Sequence, residues 1–193
     1  MLEWSIAALQ ALDAVRRIVV ALPPETYSVP VPDGVVTVAG GATRSASVRE
    51  ALLACGNGDP VIVHDAARPL ATTDLFERAL LDLTGSNADA VIAAAPVSDT
   101  IKEVADDGRT VERTLERGRL WAVQTPQVFR RAALDRALLE APDDLLAAAT
   151  DDAWLVEQAG GTVRVVVSGP ENLKVTTLTD LRLAEMLLAE RDA

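Results

Sequence analysis

An α/β fold, with a mostly parallel sheet and helices on both faces, is what this 193-residue chain predicts, on three observations. Short apolar runs rich in β-branched residues alternate with segments whose apolar residues recur at helical spacing, the order expected of a parallel sheet with helical crossovers. The runs are apolar throughout rather than alternating, as strands buried on both faces are. Hydrophobic residues make up 49% of the chain, enough for a sizeable core, and the length supports one domain over 1–193.

Leu2, Ile6, Leu9 and Leu12 open the chain on an amphipathic helix. Arg17 to Leu22 (RIVVAL) reads as a buried strand, and Pro23, Pro24, Pro30 and Pro32 break the next stretch. Val35 to Val38 is a second strand. The Gly40–Gly41 pair then leads into a helix with Val48, Leu52 and Leu53 on one face. Pro60 to His64 is a third strand, Thr73 to Leu83 a helix, and Asp89 to Ala95 a fourth strand. Asp99–Val104 and Arg109–Leu115 flank Asp106-Asp107-Gly108, a hairpin signal because Asp-Gly supplies the positive φ of a tight turn. These residues are mostly polar, so a projecting arm is expected over about 98–120. Trp121–Val123 returns to the sheet, with Thr125-Pro126-Gln127 read as a rigid polar turn. Helices come next over Arg131–Leu139 and Thr150–Gln158, the latter with Thr150 as N-cap and Asp151 and Asp152 at the positive helix end. Thr162–Val167 is the last strand and Thr179–Glu190 the last helix.

Composition removes several classes of function. With 18 Lys plus Arg against 29 Asp plus Glu, the net charge is −11, which gives no basic footprint for nucleic acid. The lone Cys55 excludes an internal disulfide framework and a Cys-based zinc cluster. The lone His64, at a strand end among apolar residues, reads as structural. No run reaches the ~18 apolar residues of a membrane span, and no charged leader precedes an apolar stretch. A soluble cytoplasmic protein is expected.

Parallel sheets bind ligands beyond the carboxyl ends of their strands. The second strand is followed by GGATRSASV, where two glycines let the backbone approach a ligand and a helix N-terminus offers free N–H groups. A plain turn with a helix cap accounts for the same residues. HDAARP comes after the third strand: Arg68 suits bidentate phosphate binding and Asp65 suits sugar hydroxyls, or the two form an ion pair that fixes the loop. Thr100 and Lys102 stand after the fourth strand, as substrate contacts or ordinary hairpin residues. Arg117 and Arg119 come after the hairpin, and Lys174 stands after the last strand, where a snorkelling surface lysine is the alternative. Arg44, Arg68, Arg117 and Lys174 are expected to meet Asp65 around one pocket, a cationic cleft in an acidic protein suited to phosphorylated substrates.

HDAARP, APVSDTIK, the R-x3-W-x3-TPQ-x-F spacing of Arg117 to Phe129, TDDA and NLKVTT occur here in the order found in 2-C-methyl-D-erythritol 4-phosphate cytidylyltransferases, which the chain resembles from about Leu2 to Glu190. The resemblance implies a Rossmann-like nucleotidyltransferase fold and the joining of CTP to methylerythritol phosphate, with release of pyrophosphate, in non-mevalonate isoprenoid biosynthesis. It implies nucleotide contacts at Gly40, Gly41, Ser47 and Asp65. It implies substrate contacts at Asp65, Arg68, Thr100, Thr125 and Thr150, and catalytic roles for Lys174 and Arg117. Thr100 and Arg117 would be lent to a partner copy by the hairpin arm, which implies a homodimer. Mg²⁺ would be held mainly by the CTP phosphates, so no metal-ligating residues are assigned.

The family's opening strand and its Gly-rich AAGxGxRM loop have no counterpart in these 193 residues. Because that strand is central in the family's sheet, an unfilled slot with unpaired edges is expected, and so is poor turnover of CTP. Two other readings share the sequence. One is a ribitol 5-phosphate cytidylyltransferase, separable by assaying both alcohol phosphates. The other is a non-catalytic binding or dimerising relative, separable by calorimetry with each substrate.

Overall fold

The structure, a computed structural model, describes residues 1–26 and 29–191. Helix α1 (Leu2–Gln10) is followed by strands β1 (Ile18–Leu22) and β2 (Val35–Ala39), helix α2 (Arg44–Ala54) and strand β3 (Val61–Val63). Helix α3 (Thr73–Gly85) leads into β4 (Ala90–Pro96), the hairpin β5 (Lys102–Val104) and β6 (Val111–Thr114), and the long strand β7 (Trp121–Phe129). Helices α4 (Arg131–Leu139), α5 (Asp143–Ala148) and α6 (Asp152–Gln158), strand β8 (Val163–Val167) and helix α7 (Leu178–Arg191) complete the fold.

The main sheet has the order β3-β7-β4-β8. β4 and β8 are parallel, and β7 runs antiparallel to both β3 and β4, so it is the one reversed strand of the four. Helices cover both faces, as expected. Leu134, Leu138, Leu155 and Val156 of α4 and α6 pack on one side of Ala90 and Ile92, and Leu75, Ala79 and Leu83 of α3 pack on the other side against Val91 and Ala93. β4 is buried over its first six residues, which is why Ala90–Ala95 is uniformly apolar.

Several details differ from the sequence reading. Thr125-Pro126-Gln127 is not a turn but part of β7. Between Ile92↔Gln127 and Ala94↔Val123 the register shifts, so Gln124, Thr125 and Pro126 lie in an irregularity of the ladder. There a proline's missing N–H breaks no regular ladder bond. The N-cap of α6 is Asp151, not Thr150, because the Asp151 carboxylate accepts the Trp154 N–H at 2.7 Å. Leu53 is 60% exposed and does not share the buried face of α2 with Leu52. Helix α5 has no counterpart in the sequence reading.

The hairpin turns at Gly108, whose φ of +66° is the conformation expected there, and Asp107 accepts the N–H groups of Arg109 and Thr110, both at 2.8 Å. Both strands of the arm are largely exposed.

β1 and β2 form a separate parallel pair, and among the described residues no strand pairs with the other edge of β1 or of β3. Between these two strands lies an apolar slot of about 500 Å³, lined by Val19, Val20 and Ala21 on one side and Val61, Ile62 and Val63 on the other. Arg44 and Asp65 also line it.

Candidate active site

The post-β3 loop and the segment after β8 are clipped together. The Val175 N–H donates to the Ala67 carbonyl at 2.8 Å, and Arg68 Nη1 donates to the Asn172 carbonyl at 2.7 Å. Asn172 is buried and uses its amide nitrogen on Gln124 Oε1 and the Thr125 carbonyl, each at 2.9 Å. The NLKVT and HDAARP motifs and the irregular part of β7 thus form one unit, and the clip carries Lys174 onto Asp65.

Asp65 is the centre of the charged cluster. Its Oδ2 lies 3.0 Å from Lys174 Nζ, and its Oδ1 accepts from Arg44 Nε at 3.3 Å. Burial raises its pKa, but the Arg44 and Lys174 charges outweigh that and hold the carboxyl below its ordinary value. Arg44, the first residue of α2, also donates from Nη1 to Asp152 Oδ2 at 2.7 Å. Burial pulls its pKa down, and the two carboxylates more than reverse that. Asp152 is completely buried, which lifts its carboxyl above the ordinary value against the pull of Arg44. Arg68 is buried and feels the Asp65 charge, and its Nε has no hydrogen-bond partner among the described residues.

Behind Asp65, one hydroxyl and one ring organise the loop. Thr125 Oγ1 accepts the Asp65 N–H at 3.0 Å and donates to His64 Nδ1 at 2.9 Å, because the neutral ring keeps its one proton on Nε2 for the Arg68 carbonyl. His64 Nε2–H then faces the Arg68 carbonyl at 3.3 Å, and the ring packs edge-on against Phe76 with centroids 5.0 Å apart. Burial pushes the His64 pKa down to about 4. The expectation that His64 is structural agrees with this. Thr125, expected to touch substrate, is 3% exposed, with its hydroxyl between the Asp65 N–H and the His64 ring.

Gly40, Gly41 and Ser47 line a second cavity of about 500 Å³ at the carboxyl ends of β1 and β2, together with Leu22 and Pro24. A Cβ on Gly41 would lie 2.5 Å from the Ala46 Cβ, so the loop's close approach to α2 requires glycine. The Gly41 N–H donates to Ser47 Oγ at 3.1 Å, while the Thr43 hydroxyl caps α2 by accepting the Ala46 N–H at 3.1 Å.

The structure gathers Arg44, Arg68 and Lys174 about Asp65 but not Arg117. That residue lies at the foot of the arm and donates to the Ser98 carbonyl at 2.5 Å, because the hairpin carries it away from the sheet. Thr100 is exposed beside the same arm, and Thr150 is exposed two residues before Asp152. Asp152 is the member of the cluster that sequence reasoning missed as a site residue. The TDDA motif is its signal, and from sequence it reads only as helix-end charge. Among the described residues, no group of three His, Cys, Asp or Glu is placed to hold a metal ion, and none of the helices is long and apolar enough to cross a membrane.

Comparisons with known proteins converge. The family model described as "IspD: 2-C-methyl-D-erythritol 4-phosphate cytidylyltransferase" matches residues 1–190. A 2-C-methyl-D-erythritol 4-phosphate cytidylyltransferase of Rubrobacter xylanophilus is 47% identical over 154 residues, covering 79% of this chain and 65% of that protein, so the match spans just under two thirds of the relative's length. One from Xanthomonas campestris strain 8004 is 43% identical over 202 residues, covering 100% of this chain and 75% of the relative. The crystal structure of the 2-C-methyl-D-erythritol 4-phosphate cytidylyltransferase from Thermus thermophilus superposes with a TM-score of 0.82 at 36% identity, over 97% of this chain and 88% of that one. The fold is therefore the Rossmann-like nucleotidyltransferase arrangement that the motifs implied. On these matches, the chain belongs to the 2-C-methyl-D-erythritol 4-phosphate cytidylyltransferase family.

Proposed function

We propose that this chain carries the alcohol-phosphate site and part of the nucleotide site of an enzyme that transfers a cytidylyl group from CTP to 2-C-methyl-D-erythritol 4-phosphate. The observation that carries this reading is Asp65, held between Arg44 and Lys174 at the exit of β3, with the unpartnered, buried Nε of Arg68 beside it. A carboxylate flanked by cations accepts polyol hydroxyls, while Arg68 and Lys174 receive the phosphate. The cavity at Gly40, Gly41 and Ser47 takes the cytosine and its ribose.

The reaction needs no general base. An ionised phosphate oxygen of the alcohol attacks the α-phosphorus of CTP, the bond from that phosphorus to the bridging oxygen breaks, and pyrophosphate leaves. His64 agrees with this economy, since it is neutral near pH 7 and both of its ring nitrogens are occupied. Lys174 neutralises charge at the reacting phosphate, and catalysis rests on alignment and charge neutralisation. Mg²⁺, when bound, would supply further neutralisation and would be held mainly by the nucleotide's phosphates and water.

The same reading takes 1–193 as one domain working in the cytoplasm as a homodimer, the arm over 98–120 lending Thr100 and Arg117 to a second copy. The exposure of both arm strands supports that. Light scattering of the purified chain should give twice the monomer mass, and a monomer sinks the loan.

Titration calorimetry tests the substrate. The wild-type chain should bind 2-C-methyl-D-erythritol 4-phosphate more tightly than ribitol 5-phosphate, and Asp65→Asn should weaken that binding by roughly 10- to 100-fold, the worth of charged hydrogen bonds. No binding of either alcohol phosphate overturns the reading. Pyrophosphate release from CTP by the 193 residues should be slow, because they hold no Gly-rich triphosphate cradle. Each missing preorganised donor of that kind costs roughly 10²–10³ in rate.

A further inference from the structure

Asp152 has no evident reason to be charged where it stands. It is 0% exposed, and burying a carboxylate costs several kcal/mol that one partner seldom repays. The helix it begins is already capped: both oxygens of Asp151 are used, one on the Trp154 N–H at 2.7 Å and the other on Gln127 Nε2 at 2.8 Å. Helix α2 is capped separately by Thr43. Among the described residues, the only hydrogen bond of the Asp152 side chain is to Arg44 Nη1, and its other oxygen is buried without a partner.

The effect of that bond shows in how Arg44 is shared. A guanidinium left to itself beside one carboxylate closes on it with two parallel N–H bonds. Here the fork is divided. The short bond of 2.7 Å goes to Asp152, and a single long one of 3.3 Å goes to Asp65. Charges then alternate along a chain of four residues, Asp152, Arg44, Asp65 and Lys174, drawn from the start of α6, the start of α2, the loop after β3 and the segment after β8. Each Asp65 oxygen is engaged by one cation only, and the residue lines the slot.

We propose that Asp152 is a positioning residue: by holding one arm of the Arg44 guanidinium it stops the fork from closing on Asp65, which leaves that carboxylate able to accept the hydroxyls of a polyol phosphate. This rests on the reading of Asp65 as the polyol ligand given above. Asp152 acts through Arg44 and touches no substrate itself. Its contribution is therefore to the discrimination of polyol phosphate from phosphate alone, since the phosphate is received by cations.

Two measurements on the full chain test this, one with ligand and one without. In a crystal structure of unliganded Asp152→Leu, Arg44 should turn and engage Asp65 with two N–H groups; a fork that stays where it is overturns the inference whatever the substrate proves to be. In calorimetry, Asp152→Asn and Asp152→Leu should weaken 2-C-methyl-D-erythritol 4-phosphate about tenfold and leave inorganic phosphate unchanged. Equal losses for both ligands, or no loss for the polyol, overturn it, because damage to the fold does not choose between the two. The Arg44→Gln, Asp152→Asn double variant should bind no worse than Arg44→Gln alone, whereas additive losses count against action through Arg44. Should the wild type bind no polyol phosphate, the functional reading fails while the crystal structure still decides the division of Arg44. If Asp152→Leu does not fold, the crystal structure of Asp152→Ala decides it, since alanine has no oxygen to accept from Arg44.

Discussion

His64 shows how a single side chain can be indispensable without taking part in chemistry. Its ring is buried against Phe76, between the Thr125 hydroxyl and the Arg68 carbonyl, and it is burial that keeps the ring neutral. Its pKa, lowered from 6.5 to about 4, means that between these values the unfolded chain binds a proton the folded one refuses. Stability therefore rises with pH across that window, and the part owed to neutral His64 is complete above pH 6.5 and lost as pH falls toward 4. A shift of this size corresponds to about 3 kcal/mol. Urea denaturation at pH 7 and pH 4.5 should show the loss, and His64→Gln should flatten it. A wild type equally stable at both values would remove the buried neutral ring from the account. Asp65 acts in the same direction at lower pH, whereas Asp152, whose carboxyl burial raises, acts in the opposite one. Asp65, held below its ordinary value, contributes stability above the unfolded carboxylate range and loses it only as pH falls through its depressed pKa.

The junction of β7 and α6 rests on Asp151, whose two oxygens join the helix N-terminus to Gln127 in the middle of the sheet. Asp151→Ala removes the cap and leaves a buried amide short of a partner, a cost of about 1–2 kcal/mol. The melting temperature should fall, while Thr150→Ala, which removes no cap, should leave it within error. If Thr150→Ala is the more harmful, the cap has been assigned to the wrong residue. Two adjacent cap-forming residues cannot be ranked from sequence, because the choice depends on which side chain the tertiary fold turns toward the helix. The same limit explains other differences. β4 was legible because burial on both faces demands an unbroken apolar run, and the hairpin because Gly108 needs a positive φ. The strand through Thr125-Pro126-Gln127 was hidden because proline argues against a central strand wherever the ladder is regular, and the irregularity opposite Ala93 lies in the pairing rather than the composition. The clustering of Asp65, Arg68 and Lys174 is legible because they stand just past strand ends. Asp152 is not, because its role depends on a partner 108 positions away.

Across the molecule, order is unevenly distributed. β4 lies between β7 and β8 with helices on both faces. β1 and β2 form a ladder of their own, only half buried, with the free edge of β1 turned to the apolar slot. A ladder that lacks a third strand opens without requiring the main sheet to open, so the two regions should behave as separate cooperative units. Amide hydrogen exchange is expected to be at least about 10²-fold faster over Ile18–Leu22 and Val35–Ala39 than over Ala90–Ala95 and Val128–Phe129, which should exchange only through global unfolding. One uniform rate would mean that the slot does not divide the fold. The Gly40 N–H donates to the Leu22 carbonyl at 2.7 Å, so the end of this ladder is also a wall of the cavity assigned to the nucleotide. A ligand that binds only the closed ladder stabilises it by mass action. CTP should therefore slow exchange in β1 and β2 and leave β4 untouched, and protection confined to β4 would move the nucleotide away from Gly40 and Ser47.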